Sequence, residues 1–272
     1  YDPKGKGVLL SPFVEGFDVA FERTKELLRS SQPIFEAGFY TEGALAFADV
    51  MLPIKKGGKL GWKMVEVKSS TSVKDYHCDD AAVQSYIARA SGVPLKSIAL
   101  AHIDSSWVYP GGNDYTGLLV ENDLTDEAFG RSEEVCAWID EAQQIVARKR
   151  EPKISTGNQC SKPYECGFLT HCRSQEPQAE QPIAWLPGRL SKDLQAFIDE
   201  HSPSELHELP DELLNERQQR VKAVTIADKP FFDRKSAAHA LSSHKLPAYF
   251  LDFETIQFAV PIWKGTRPYQ QI

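Results

Sequence analysis

A chain of 272 residues is long enough for one large domain or two small ones, and an apolar content of 42% supports a sizeable core. A formal net charge of -7 argues against a protein that binds nucleic acid over its whole surface. No apolar run reaches the length of a membrane span and no signal peptide is visible, so the chain reads as cytoplasmic. It begins at Tyr1 rather than Met and ends at Ile272 without a polar tail, and is expected to be part of a longer protein.

Phe17, Ala20, Phe21, Thr24, Leu27 and Leu28 fall at helical spacing and predict a helix over 17–30. Pro33 to Tyr40 reads as a strand whose one charge is Glu36. Ala44 to Leu52 reads as a second, interrupted by Asp49, and Trp62 to Lys68 alternates as a third. The turn signal Lys56-Gly57-Gly58-Lys59 joins the last two, which together predict an antiparallel meander. After the polar loop Ser69 to Ser72, a helix is expected from Asp75 or Asp79 to Ala90, stopped by Ser91-Gly92 and Pro94. Leu95 to Ile103 and Leu118 to Val120 read as strands, and Asp126 to Arg150 as one long amphipathic helix. Ser174 to Pro182 looks like a linker, Leu190 to Leu241 is mostly helical and polar, and Tyr249 to Thr255 reads as a strand. This order predicts a mixed α/β (α+β) fold.

Three side chains carry the chemistry. Glu66 and Lys68 stand at i and i+2 on one strand and share a face. Asp49 lies on the strand before, where a carboxylate within an apolar run is costly unless something pairs with it. Two carboxylates can hold a hard divalent cation, and a lysine beside them can orient water or offset charge on a phosphate. The same Glu-x-Lys pattern also occurs as a solvated sheet face with weak ion pairs. Asp80 and Gln84, at i and i+4 on the next helix, share a face from which Gln84 could reach a metal or a phosphate.

Charge is uneven along the chain. Lys55, Lys56, Lys59, Lys63, Lys68 and Lys74 surround Glu66, and could hold a phosphate backbone, although Lys55, Lys56 and Lys59 read as a solvated hairpin tip. Acids concentrate in 121–141 and 199–216. The five cysteines are an odd number, which argues against a disulfide framework. Cys78 and Cys136 read as buried thiols. Cys160, Cys166 and Cys172 cluster, and thiolates suit iron–sulfur clusters or, with His171, zinc. Asp252 and Glu254, at i and i+2, could bind a divalent metal.

Asp49, Glu66-Val67-Lys68 and Gln84, in that order, resemble the PD-(D/E)xK nuclease superfamily in its RecB-like branch. The resemblance implies a restriction-endonuclease-like mixed sheet flanked by helices and metal-dependent hydrolysis of DNA, exonuclease-like, in repair or defence. It implies magnesium or manganese on Asp49, Glu66 and the Val67 carbonyl, with Lys68 and Gln84 catalytic. DNA, single strands included, would be the partner. The branch often continues Gln-x-x-x-Tyr, whereas position 88 here is Ala88 and the tyrosine is Tyr86. Glu22, Glu26 and Glu36 are candidates for the extra ligand that the branch takes from an early element.

The spacing of Cys160, Cys166 and Cys172 is similar to the C-terminal cysteines of iron–sulfur RecB-like exonucleases, implying a 4Fe-4S cluster whose fourth ligand lies outside this sequence. Leu251-Asp252-Phe253-Glu254-Thr255 resembles the first motif of RNase H-like DEDD exonucleases. Together with Gly265-Thr266-Arg267-Pro268-Tyr269, both halves resemble a bacterial family that joins a RecB-like domain to a DEDD-like segment. The implied division is a nuclease domain over 1–173, a helical linker over 174–245, and the start of an RNase H-like domain over 246–272. The rivals are a catalytically silent nucleic-acid-binding or assembly module and a zinc-stabilised structural domain.

Overall fold

The structure is a computed structural model that describes every residue except Pro3, Gly57 and Leu246, and omits the side chains of Lys56 and Lys59. The chain divides into two compact units, Tyr1–Pro152 with Phe253–Ile272, and Lys153–Asp252. The boundary expected after 173 therefore falls inside the second unit, and the residues after 252 belong to the first.

The first unit is mixed α/β. Its six-stranded sheet runs in chain order: β1 (Val8–Leu9), β2 (Ile34–Thr41), β3 (Ala44–Lys56), β4 (Lys59–Lys68), β5 (Leu95–Ile103) and β6 (Leu119–Asp123). β2, β3 and β4 form the expected antiparallel meander, β4 and β5 are parallel, and β6 returns antiparallel. A parallel pair needs a crossover, and α3 (Asp75–Ala90) supplies it. Ala81, Ala82 and Ala88 let this helix lie close to Trp62 and Met64 in the main core. Before the meander come α1 (Pro12–Glu15) and α2 (Phe17–Leu27). Thr24 fixes α2 to the sheet by accepting the Gly38 N–H at 3.0 Å. A side chain at Gly38 would collide with Phe21 and Phe47, so this close approach requires glycine.

The long helix expected over 126–150 is two helices, α4 (Thr125–Gly130) and α5 (Ser132–Val146). Gly130 is a poor helix former, and Arg131 leaves helical geometry (φ -93°, ψ 16°) to pair with Asp79 at 2.7 Å and Glu134 at 2.6 Å. Arg148, Lys149 and Arg150 then lie beyond the helix end. Cys136 is exposed rather than buried, and Cys78 is half-buried. At the hairpin tip Lys55 is exposed as expected, while Gly57 and the side chains of Lys56 and Lys59 lie outside the described residues.

The strand expected over 249–255 does not form. Tyr249, Phe250, Leu251 and Phe253 are each at least 80% exposed. Alternation makes a strand only where a neighbouring strand takes its backbone groups, and this run lies in no strand or bridge. Pairing begins one residue later, where Ile256 and Ile272 exchange two backbone hydrogen bonds of 3.1 Å. This C-terminal loop docks on the turns after β5 and β4, the Tyr109 N–H donating to the Thr266 carbonyl at 2.9 Å and the Tyr269 hydroxyl donating to the Ser69 carbonyl.

The second unit is helical: α6 (Leu169–Gln175), α7 (Lys192–His201), α8 (Glu216–Ala227) and α9 (Arg234–Leu241). It has its own small core of Leu186, Leu194, Leu206, Leu209 and Leu214, so 183–214 is folded structure rather than a tether. Among the described residues no helix is long and apolar enough to cross a membrane.

Candidate active site

A matched irregularity in two strands places the acidic groups. Along β3, Ala46 and Ala48 face the main core, and so does Met51, an odd step away. Along β2, Ile34 and Ala37 show the same odd step. Strict alternation forbids both, so each strand changes phase, at Glu36 and at Asp49. The pairs on either side, Phe35 with Val50 and Ala37 with Ala48, keep register, so Glu36 stands opposite Asp49. Glu36 absorbs the change in the left-handed region (φ 58°), where a side chain is strained.

Asp49 also marks a fork. The β3–β4 ladder ends at Val50 and Val65, and beyond it β4 pairs with β5 alone. The Asp49 carboxylate takes the place of the departing strand by accepting the Val67 N–H at 2.6 Å. Val65 and Val67 face a separate apolar cluster, which turns Glu66 and Lys68 to the opposite, α3 side of β4. There Lys68 Nζ donates to Glu66 Oε1 at 2.7 Å and to Asp80 Oδ2 at 2.5 Å. Gln84 Nε2 donates to the other Asp80 oxygen at 3.3 Å.

Electrostatically the site has an excess of anions. Asp49, Glu66 and Asp80 face one ammonium, with Glu36 repelling Asp49 from the side. Glu66 is only 4% exposed, and burial, then the Asp49 charge, push its carboxyl up to about 7 against the hydrogen bond from Lys68. Burial also raises Asp49 and Glu36 above the usual carboxylate range. Burial works to lower Lys68, but its bonds to Asp80 and Glu66 outweigh that and hold it a firm ammonium. Glu66 Oε2 and Gln84 Oε1 are buried without a hydrogen-bond partner among the described residues. With a proton on Glu66 it can bond Asp49, which is how two close carboxylates behave when they share one positive charge. A proton or a cation would answer the same need.

The residues expected from sequence thus separate. Asp49, Glu66, Lys68 and Gln84 come together, with Glu36 at the border. Val67 engages through its backbone N–H. Glu22 is exposed and pairs with Lys25 at 2.7 Å, and Glu26 is exposed, so neither serves this cluster. Tyr86 bonds Cys136 on the α5 side. Asp80 is the addition: its i, i+4 relation to Gln84 was visible, but its grip on Lys68 was not. His77, buried beside Lys68, caps α3 by accepting the Lys74 N–H at 3.2 Å, and burial lowers its pKa. An open cleft lined by Asp18, Phe21, Glu22, Tyr40, Leu45 and Gln143 contains none of the clustered residues Asp49, Glu66, Lys68, Asp80 and Gln84.

The donor set fits a hard cation held by a pair of carboxylates, as magnesium commonly is, with water and phosphate oxygens completing its shell. Among the described residues no group of three or more His, Cys, Asp or Glu is arranged to hold a metal. Cys160, Cys166 and Cys172 are thus not gathered around one point in this structure. Cys160 is buried, Cys172 half-buried and Cys166 exposed, and His171 lies 2.7 Å from the Gln175 side chain. The loop closes on itself instead, with Thr156 bonded to both oxygens of Glu176 at 2.6 and 2.7 Å. Asp252 and Glu254 are exposed and outside any strand, which removes the shared face expected for them.

In this architecture the site is a carboxylate–lysine cluster at the fork of a mixed α/β sheet. Residues 249–272 match a family described as Domain of unknown function (DUF2779). That match covers the loop bearing Thr266 and Tyr269 and stops short of the sheet. No curated protein matches the chain.

Proposed function

We propose that the first unit is a metal-dependent nuclease of the PD-(D/E)xK type, in the RecB-like branch, hydrolysing DNA phosphodiester bonds in an exonuclease-like manner. The observation that carries this reading is the convergence of Asp49, Glu66 and Lys68 at the β3–β4 fork, with a buried Glu66 oxygen lacking a partner. Asp49 and Glu66 would hold magnesium or manganese. When bound, the ion neutralises phosphate charge and lowers the pKa of its water. Lys68, a fixed ammonium, offsets negative charge that develops on the phosphate. It does not serve as the base, because its neighbours hold its proton. Val67 N–H keeps one Asp49 oxygen aimed along the strand. No step of this chemistry needs the cysteine loop or Asp252 and Glu254. The test is cleavage of end-labelled single-stranded and duplex DNA with manganese, magnesium or chelator. Metal-dependent product that Glu66→Gln abolishes is expected; product formed equally in chelator would overturn the proposal.

One observation favours the second reading, a catalytically silent nucleic-acid-binding module. Lys68 is already closed against Glu66 and Asp80, so the resting site is partly self-neutralised. Calorimetric titration separates the two. The silent module binds DNA without manganese binding at Asp49 and Glu66, whereas the nuclease binds the ion first.

A further inference from the structure

We infer that Asp80 is a positioning residue that fixes the direction of the Lys68 ammonium, and that Gln84 acts on Lys68 only through Asp80. An ammonium carries three N–H groups on a freely turning Cε–Nζ bond. Glu66 Oε1 at 2.7 Å takes one and Asp80 Oδ2 at 2.5 Å takes a second, from different elements. Two anchors stop the rotation, and the third N–H is left with one direction. With Glu66 alone the head would turn about a single bond. The side chain of Asp80 is in turn held from its other oxygen by Gln84 Nε2 at 3.3 Å, one helical turn on. Gln84 is 7% exposed and has no hydrogen bond to Lys68 in the structure, so its route to the lysine runs through the Asp80 carboxylate. The relay Gln84–Asp80–Lys68–Glu66 thus ties α3 to β4 across the site.

The chemical purpose rests on the nuclease reading. A donor held in one direction contributes to transition-state stabilisation without reorganising, and misplacement by about 1 Å can cost on the order of 100-fold. A like-charged Asp80 near a phosphate would otherwise only weaken binding, so a positioning gain is the physical reason to place a carboxylate there.

The test has two arms. In the first, Lys68 is followed by proton–nitrogen NMR of its ammonium group, a signal seen only when hydrogen bonding slows exchange with water. This arm needs no activity. The Lys68 resonance, assigned by its loss in Lys68→Arg, is expected in the unaltered chain, lost in Asp80→Asn, and kept in Asp80→Glu. Retention of the signal in Asp80→Asn overturns the inference whatever the activity. In the second arm, Asp80→Asn lowers kcat roughly 10- to 100-fold with KM within about twofold. Gln84→Leu lowers it less, and adds nothing on the Asp80→Asn background. Additive losses would overturn the relay, because Gln84 would then act by a separate route. An unaltered chain that cleaves no DNA would sink the nuclease reading while the NMR arm still decides the position of Lys68. Thermal unfolding of each variant, expected within a few degrees of the parent, separates lost positioning from lost fold.

Discussion

Glu36 and Asp49 face each other across β2 and β3 where both strands change phase, and their charges repel. The strained backbone of Glu36 (φ 58°) comes with the change of face opposite Asp49. Glu36→Gly removes the strain and the repulsion together. Glycine inside a strand normally costs roughly 0.5–1 kcal/mol, and relief of left-handed strain returns about 1–2 kcal/mol. The variant is therefore expected to be as stable as the parent or more so at neutral pH, in urea unfolding. A clear loss of stability would mean that the strain is not there.

Glu66 sets a pH dependence whose sign can be worked out. Its carboxyl is raised from 4.5 to about 7 in the folded chain, so between those values the folded state binds more protons than the unfolded one. Stability of the metal-free protein then falls as pH rises through that window, by on the order of 3 kcal/mol if Glu66 titrates alone. Glu66→Gln should flatten this slope and leave the metal-free protein more stable at pH 7.5. Urea midpoints measured across pH 4.5 to 8 with chelator present check both statements. A parent protein whose stability climbs over the same range would contradict the burial of this carboxyl.

Added manganese should reverse that loss. A cation that binds only the folded chain stabilises it by about 2.7 kcal/mol at one hundred times its Kd. The unfolding temperature of the parent is expected to rise with manganese, and those of Asp49→Asn and Glu66→Gln are not. An equal rise in all three would place the ion elsewhere.

The cysteine loop gives a separate prediction. Cys166 is exposed, Cys172 half-buried and Cys160 buried. Alkylation by a small thiol reagent should therefore be graded, Cys166 first and Cys160 last, as read by mass spectrometry of quenched samples. Joint protection of all three, released by a chelator, would instead indicate a shared metal, and analysis for iron, sulfide and zinc would name it.

Much of the site was legible because strand parity is a local property. Glu66 and Lys68 share a face by spacing alone, and the Gly-rich turn before β4 brings β3 alongside. The phase change at Glu36 and Asp49 was hidden, since strict alternation had to fail in two strands at once and only the paired register reveals it. Asp80 was read as a neighbour of Gln84, but its bond to Lys68 depends on how closely the alanines of α3 let the helix approach. The break at Arg131 follows from ion pairs with Asp79, fifty-two residues away, and no helical window contains that partner. Residues 249–255 carry strand composition, yet a strand is made by its neighbour, and composition does not say whether one is present.

The most direct measurement is single-turnover cleavage of labelled DNA in manganese by the parent chain and by Lys68→Ala, with thermal unfolding recorded for both. The expected result is cleavage by the parent and a loss on the order of 10²- to 10³-fold in a folded Lys68→Ala protein. Cleavage that persists at the parent rate without Lys68 would contradict the site.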